Sequence, residues 1–380
     1  MAEGLSASHI DLTSGVIAGP RSTAWQPPAA VEWIDAAHPF PDAASEAAGR
    51  RARALAEQAR RSGRLVIVLL SGGSSSMLAL PASGITLDDK ARTAAALMRA
   101  GVDITGLNCV RKHLSAIKGG WLGVQARRTA TLAISDVHSP REDDPAVIGS
   151  GPTVADPTTF DDALQTIEVA RALVPGAVLE HLRRGARGAL ADTPKPGDPR
   201  LDGAWYTVVG NRRTAQEAAA ADARARGYEV EVVAEAVGGE ARAAGPLLAQ
   251  RALDGRARVR NGRRCVIAAG ETTVRVKGSG RGGRCLELAL SAVEVLDRWA
   301  ARGRIAVLAS VGSDGIDGAT DAAGALVDTT TGERAHAAGL DARSLLDDNA
   351  SYDFFAALGD LVVWGPTGTN VGDLQVLLIE

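Results

Sequence analysis

Short aliphatic runs alternate with alanine-rich stretches of amphipathic spacing along this chain, the pattern of a parallel sheet covered by helices. Leu65 to Leu70 is an unbroken aliphatic run and predicts a buried strand. Thr86 with Asp89 three residues later predicts a capped helix start, and Gly101 marks the far end. A second strand is expected at Thr131–Ile134, and a second capped helix opens at Thr159 with Asp162 in the capping place. Three prolines and a glycine between Thr193 and Pro199 continue neither a helix nor a central strand, so the domain boundary is placed there. The domains expected are residues 1–192 and 200–380. In the second, strands are expected at Trp205–Val209, Glu229–Val233, Cys265–Ala269, Ile305–Ala309, Leu361–Val363 and Leu374–Ile379. Helices are expected there at Thr214–Arg226 and Cys285–Ala301.

Composition narrows the class. A chain of 380 residues, 46% of them apolar, is too long for one core and rich enough for two. Its 42 basic and 45 acidic residues leave a net charge of −3, which offers no basic field to a polyanion, so no nucleic-acid partner is expected. Cys109, Cys265 and Cys285 stand far apart and suit a reducing compartment better than a disulfide framework. No C-x-x-C or H-x-x-x-H spacing suggests a metal site. The longest aliphatic run is about a third of the ~20 residues that a membrane helix requires. The opening MAEGLSASHIDLTSG lacks the basic-then-apolar order of a signal peptide. A cytoplasmic protein without a membrane partner is expected.

The chemistry is expected after the strands, because ligands of open α/β sheets collect at their carboxyl ends. Ser71-Gly72-Gly73-Ser74-Ser75-Ser76 follows the first strand and presents amides and hydroxyls to an anion, without the lysine of a Walker A loop. Val110 to Trp121 is the most concentrated basic segment. On one helix, Val110, Leu114, Ile117 and Trp121 form an apolar stripe, Arg111, Ser115 and Lys118 flank it, and Lys112 points away. Such a flank can border a cleft that takes phosphate or carboxylate, or can be a solvated face. His113 in the same segment is more often structural than chemical. Asp136 follows the second strand, where a carboxylate can hold Mg²⁺ or accept a hydroxyl proton. In the second domain Glu271 follows a strand, and Gly278, Gly280 and Gly283 form G-x-G-x-x-G before a long helix, a dinucleotide fingerprint. Lys277, Arg281 and Arg284 crowd that loop with cations, which better suits a phosphate or carboxylate. Asp314, Asp317 and Asp321 place three carboxylates after another strand, and Thr369 and Asn370 lie in a last polar turn.

In chain order, SGGSSS, GITLDDK, VRKHLSAIKGG, ISDV, GSGPTVADPTTFDDAL, TPKPGDP, AGETTV, GRGGR, SDGIDGATDAAGA and GPTGTNVGDL resemble the class II glycerate 2-kinases with their C-terminal MOFRL domain. The resemblance runs in register from about residue 36 to the end. It implies an α/β fold of two domains with a cleft between them. The first is a Rossmann-like α/β/α domain, and the second an α/β domain with the MOFRL region at about 262–378. It implies transfer of the γ-phosphoryl of ATP, with Mg²⁺, to D-glycerate or a similar small hydroxy acid, and leaves room for a homodimer. Lys118, Arg281, Arg284 and Asp136 then become the catalytic candidates. Ser71, Gly72, Gly73, Ser74, Ser75, Arg111, Lys112, Glu271, Asp314, Asp317, Thr369 and Asn370 become the substrate- or nucleotide-binding candidates. Asp136 and Asp314 become the metal-ligand candidates.

The chain also departs from that family. Its members carry about 40–50 further N-terminal residues, a length weighed against ordinary domain size, including a G-K-A segment whose lysine is thought catalytic. Nothing before Trp33 matches that segment and the first lysine is Lys90, so a shortened member is expected. GRGGRCLE stands for GRGGRNQE, SGGSSS for SGGGSA, and His138 to Glu142 alters the loop after Asp136. Two alternatives accompany the kinase: a weakly active or non-catalytic ligand-binding relative, and an NAD(P)H-dependent hydroxypyruvate reductase.

Overall fold

The aliphatic run after Leu65 is a strand, and the elements around it follow from local signals of the same kind. The computed structural model describes residues 12–21, 25–254 and 262–380. The opening residues 1–11, on which the absence of a leader is read, lie outside the described residues. The chain forms two compact units, Met1–Val209 and Gly210–Glu380.

The first unit contains, in order, β1 (Gly15–Ala18), β2 (Val31–Ile34), α1 (Ala43–Arg61), β3 (Val66–Leu70), α2 (Ser74–Met77), α3 (Leu87–Arg99), α4 (Ile104–His113), α5 (Trp121–Ala126), β4 (Thr129–Ile134), α6 (Phe160–Val169), α7 (Gly176–Ala186) and β5 (Ala204–Gly210). Its sheet is three strands wide in the order β3-β4-β5, and β1 and β2 form a separate parallel pair. β3 and β4 are parallel, so their carboxyl ends share one edge. Thr86 and Asp89 make the expected capping box on α3, and Thr159 and Asp162 make the one on α6. The helical core joins Leu97, Val110, Leu114, Phe160, Ile167 and Leu182.

The second unit contains α8 (Arg212–Ala225), β6 (Glu229–Val232), α9 (Ala241–Asp254), β7 (Arg264–Gly270), α10 (Arg284–Ala300), β8 (Ala306–Gly312), β9 (Gly324–Asp328), α11 (Thr331–Ala337), α12 (Ala342–Asp347), α13 (Ser351–Leu358), β10 (Leu361–Val362) and β11 (Asp373–Ile379). Here the parallel expectation gives way to a mixed sheet in the order β10-β9-β8-β11-β7-β6. Among the strands described in it, β6 and β7 alone pair in parallel, and β11 runs antiparallel between β7 and β8. Every residue of β7 is buried, as a central strand requires. α10 is buried on most of its surface and packs with α9, Phe354 and Phe355 in one core.

Two sequence expectations meet a different local structure. The segment Val110–Trp121 is not one helix: α4 ends at His113, and α5 begins only at Trp121. Gly119 and Gly120 carry positive φ in the turn between them, and a Cβ on Gly120 would lie 2.6 Å from Pro194. The proline-rich stretch is tied into the first unit. Thr193 donates to Asp156 at 3.1 Å, Lys195 donates to Thr193 at 2.7 Å, and β5 beyond the prolines still belongs to the first sheet. The division therefore falls at Val209/Gly210.

Candidate functional site

Three loops are stitched together at the carboxyl edge of β3 and β4. After β3 the chain turns at Gly73, whose φ of 77° opens the four-residue helix α2. The Ser75 hydroxyl lies 2.7 Å from that of Ser150, which donates in turn to Asn108 Oδ1 at 3.0 Å. Gly149, Ser150 and Gly151 all have φ near 60°, so the chain arches tightly there. The arch is held by backbone bonds from Gly119 and Gly120 to Ser150 and Gly151, and by Lys118 Nζ, which donates to the Gly149 carbonyl at 3.0 Å. A Cβ on Gly149 would meet the Ser74 hydroxyl at 2.8 Å, so the arch and the serine loop are in close contact. Among the described residues the buried Ser74 hydroxyl has no hydrogen-bond partner.

The consecutive bases of α4 have separate fates. Lys112, expected to point away, is buried and pairs with the buried Asp156 at 3.3 Å. His113 accepts or donates at both ring nitrogens, to the Cys109 carbonyl at 2.8 Å and to Asp192 at 2.9 Å. Burial disfavours its charge, but the bonds to Asp192 and Cys109 outweigh this and raise it to about 9. Arg111 has neither ion pair nor hydrogen bond among the described residues, and burial lowers its pKa from the usual guanidinium value. Lys118 is buried, and burial, Lys90 and Arg111 together push its ammonium well below the ordinary lysine range. Lys90, on the first turn of α3, is the third member of this cluster: burial and then Arg111 push it down to about 7. The structure thus brings together Ser74, Ser75, Arg111 and Lys118 from the sequence candidates and adds Lys90, Asn108 and Ser150. Asp136 lies two residues beyond β4, half-buried. Ser71, Gly72 and Gly73 form the approach to α2.

In the second unit the antiparallel course of β11 gathers the other loops. Asp373 pairs in register with Gly270 and with Gly312, so the loops after β7 and β8 and the loop before β11 share one edge. Arg284 is held there by Asp373 through bonds of 2.7 and 3.0 Å, and by Glu271 at 2.6 Å. Burial raises Asp373 to about 6 despite that guanidinium. Asp317 accepts from the Cys285 and Leu286 amides at 3.0 and 2.8 Å and so closes the N-terminus of α10. Asp314 accepts from the Ile316 amide, Thr367 donates to the Ser313 carbonyl at 2.6 Å, and Asn370 accepts from the Gly372 amide. Thr369 donates its amide to Thr367 at 3.4 Å within the same turn. Arg281 is half exposed and stacks on the Tyr352 ring at 3.7 Å, leaving its guanidinium presented.

The glycines of the fingerprint do not form a cradle. A Cβ on Gly278 would meet Asp348 at 2.3 Å, one on Gly280 would meet Ala350 at 2.5 Å, and one on Gly283 would meet Asp317 at 2.4 Å. Their open sides are filled by the protein itself, where a dinucleotide would need free amides. Among the described residues no three His, Cys, Asp or Glu side chains come together as a metal cluster. None of the helices described is long and apolar enough to cross a membrane.

Lys90 ends GITLDDK and Asp373 lies in GPTGTNVGDL, two of the segments that carry the resemblance, but neither stands out there as a site residue. Asp156 and Asp192 show themselves only once the fold sets them beside Lys112 and His113.

Comparison with known proteins supplies the family. Residues 1–183 match a domain of unknown function (DUF4147), and residues 264–373 match the MOFRL family. A D-glycerate 2-kinase of Thermotoga maritima is 36% identical over 352 residues, covering 92% of this chain and 80% of that protein. A putative hydroxypyruvate reductase of Agrobacterium vitis is 41% identical over 380 residues, covering 98% and 94%. The crystal structure of a glycerate kinase from Thermotoga maritima superposes with a TM-score of 0.88 at 33% identity, covering 100% of this chain and 88% of that one. With its two domain matches, and this likeness along nearly its whole length, the chain belongs to the glycerate 2-kinase family with a C-terminal MOFRL domain.

Proposed function

We infer that this protein is an ATP-dependent glycerate 2-kinase, transferring the γ-phosphoryl of ATP to the 2-hydroxyl of D-glycerate. The observation that carries the reading is the cation cluster of Arg111, Lys118 and Lys90 beside the Ser74–Ser75 loop, in a chain of this family. Phosphoryl transfer asks a protein mainly to surround phosphate with cations and to align a hydroxyl. The first unit supplies the cations at a strand edge, with hydroxyls among them.

The reading takes Mg²⁺ with the ATP. Such a metal needs only one or two carboxylates besides phosphate oxygens and water, and Asp136 and Asp314 stand at strand ends as the candidates. Arg281, half exposed over Tyr352, is a candidate cation of the second unit for a phosphate or carboxylate, whereas Arg284 is already engaged by two carboxylates. The three cysteines are free and buried, in keeping with a cytoplasmic setting. A homodimer is compatible with the reading. The reductase name of the Agrobacterium vitis relative finds no support in the packed glycines of residues 278–283.

Purified protein with ATP, Mg²⁺ and D-glycerate is expected to release 2-phosphoglycerate, read by coupled assay or phosphorus NMR. Absence of turnover across a panel of small hydroxy acids would remove the kinase reading. Oxidation of NADH or NADPH with hydroxypyruvate would replace it by the reductase.

A further inference from the structure

Lys90 is placed where a lysine has no structural reason to be. The Thr86–Asp89 capping box starts α3 and turns the next side chain inward, and the Lys90 amide donates to the Thr86 carbonyl at 3.2 Å. Its ammonium is buried and, among the described residues, has no hydrogen-bond partner. An ammonium carries three donors, and burying it unsatisfied is costly. The charges acting on it are Arg111 from α4, Lys118 from the turn before α5, and Glu46 from α1. Glu46 is itself paired with Arg50. Among the described residues, Lys118 makes one hydrogen bond, to Gly149, and the adjoining Ser74 hydroxyl makes none. Several donors and three cations therefore converge with one carboxylate, already engaged, to offset them.

We propose that Lys90, Arg111 and Lys118, with the Ser74 hydroxyl, form a receptor for a dianionic phosphoryl group. With both lysines protonated, the three cations exceed the single carboxylate of Glu46 by about two charges, so a dianion can be neutralised there while the lysines, held low by burial, take up protons on binding. The name of the phosphoryl donor rests on the kinase reading; the receptor itself rests on the burial and the missing partners. One consequence is a linked proton. Burial and Arg111 hold Lys90 near 7 without an anion, so above that pH much of it is the neutral amine. An anion beside it favours the charged form, so binding takes up a proton.

The test is calorimetric titration of the intact protein at pH 8.5, in two buffers of different ionisation enthalpy. Inorganic phosphate, 2-phosphoglycerate, ATP and D-glycerate are the separate ligands. At that pH the phosphate ligands are already dianionic at the terminal group, so any proton taken up goes to the protein. Phosphate-bearing ligands are expected to bind with uptake of about one proton or more, and D-glycerate with none. Which of the three phosphate ligands shows uptake tells whether the receptor holds the donor, the product or free phosphate. Lys90→Met is expected to lower uptake by about one proton and to weaken phosphate binding at least about tenfold. Without ligand the same variant is expected to melt at or above the wild-type temperature, because an unsatisfied buried ammonium is gone. Lys90→Gln provides the same readouts with a polar tip. Phosphate ligands binding without proton uptake, unchanged phosphate affinity in both variants, or uptake with D-glycerate alone would overturn the proposal. So would a Lys90→Met protein that melts well below wild type, which would mark a structural lysine. Phosphate binding with proton uptake but no 2-phosphoglycerate formation would leave the receptor standing and remove the kinase reading.

Discussion

The first unit's cation cluster and the second unit's carboxylate edge both collect charge beside strand ends, and they treat it in opposite ways. At the second edge Arg284 spans Asp373 and Glu271, and Asp317 is satisfied by two helix amides. In the first unit Arg111 and the Lys90 ammonium have no partner among the described residues. A buried charge with its partners in place roughly breaks even, whereas one without them either gives up its charge, as Lys90 does near pH 7, or keeps it when a ligand compensates it. The contrast separates charges that build the scaffold from charges held for a ligand.

The most forceful way to break the contrast is to strip the satisfied edge of its cation. Arg284→Met leaves Asp373 buried beside Asp317 with no guanidinium, and is expected to lower stability by about 3–5 kcal/mol at pH 7.5. The pH dependence follows from the carboxyl. Its folded pKa of about 6 lies above the unfolded value, so the folded chain keeps the proton longer and this group costs stability as pH rises through that range. Without Arg284 the cost continues to grow above pH 6, so the deficit should be clearly smaller at pH 5. Urea melts of both proteins at the two pH values check this; a deficit independent of pH would mean that Arg284 acts through packing alone.

Much of the scaffold was legible because it depends on signals a few residues long. Leu65–Leu70, the Thr86 and Thr159 capping boxes and the run Cys265–Ala269 each become the expected element. Strand direction was not legible: β11 reads as aliphatic whichever way it runs, and only its pairing with β7 and β8 makes the sheet mixed. The same limit applies to the site. Arg111 and Lys118 were accessible from their density of charge, but helical periodicity carried α4 past His113 into a turn shaped by Gly119 and Gly120. Lys90 lies far from them in sequence, and its place beside them depends on how α3 packs against α4. Lys112 is expected to point away and His113 to be structural; what neither reading supplies is the partners Asp156 and Asp192, brought to them by segments more than 40 residues away.

That last pair sharpens the comparison within a single helix, since among the described residues Arg111 is unpaired while His113, two residues on, is bonded at both ring nitrogens. His113→Leu removes its bonds to Asp192 and Cys109 and is expected to cost about 2 kcal/mol near neutral pH. A histidine raised to about 9 contributes stability that is complete below its unfolded pKa and is lost as pH rises through 9. Asp192, lowered to about 2 by these bonds against the effect of burial, contributes above its unfolded pKa and loses that as pH falls through 2. Thermal melts should therefore show the gap between wild type and variant widest at about pH 5 to 6.5 and closing above pH 9. A gap that persists at pH 10 would assign the loss to packing against Phe160, whose ring centre lies 4.8 Å from that of the imidazole in an edge-to-face arrangement.

The smallest expected stability effect belongs to the cation of the second unit that resembles the first unit's unpaired ones. Arg281 lies over the Tyr352 ring and reaches only a loose ion pair with Asp353 at 4.0 Å. An exposed cation–π contact is worth about 0.5–1 kcal/mol, and an exposed ion pair at that separation adds little. Arg281→Ala should accordingly leave the melting transition within about 1 kcal/mol of wild type. Turnover should respond differently: removal of a cation that meets the substrate only in the transition state costs about 10²-fold or more in kcat/KM. If both quantities stay near wild type, Arg281 serves only as a surface clasp on α13. Presented charge is then confined to the cluster of Lys90, Arg111 and Lys118. If turnover falls while stability holds, satisfied and unsatisfied charges coexist in the second unit too, and pairing, rather than which unit a residue belongs to, is what marks a group for the ligand.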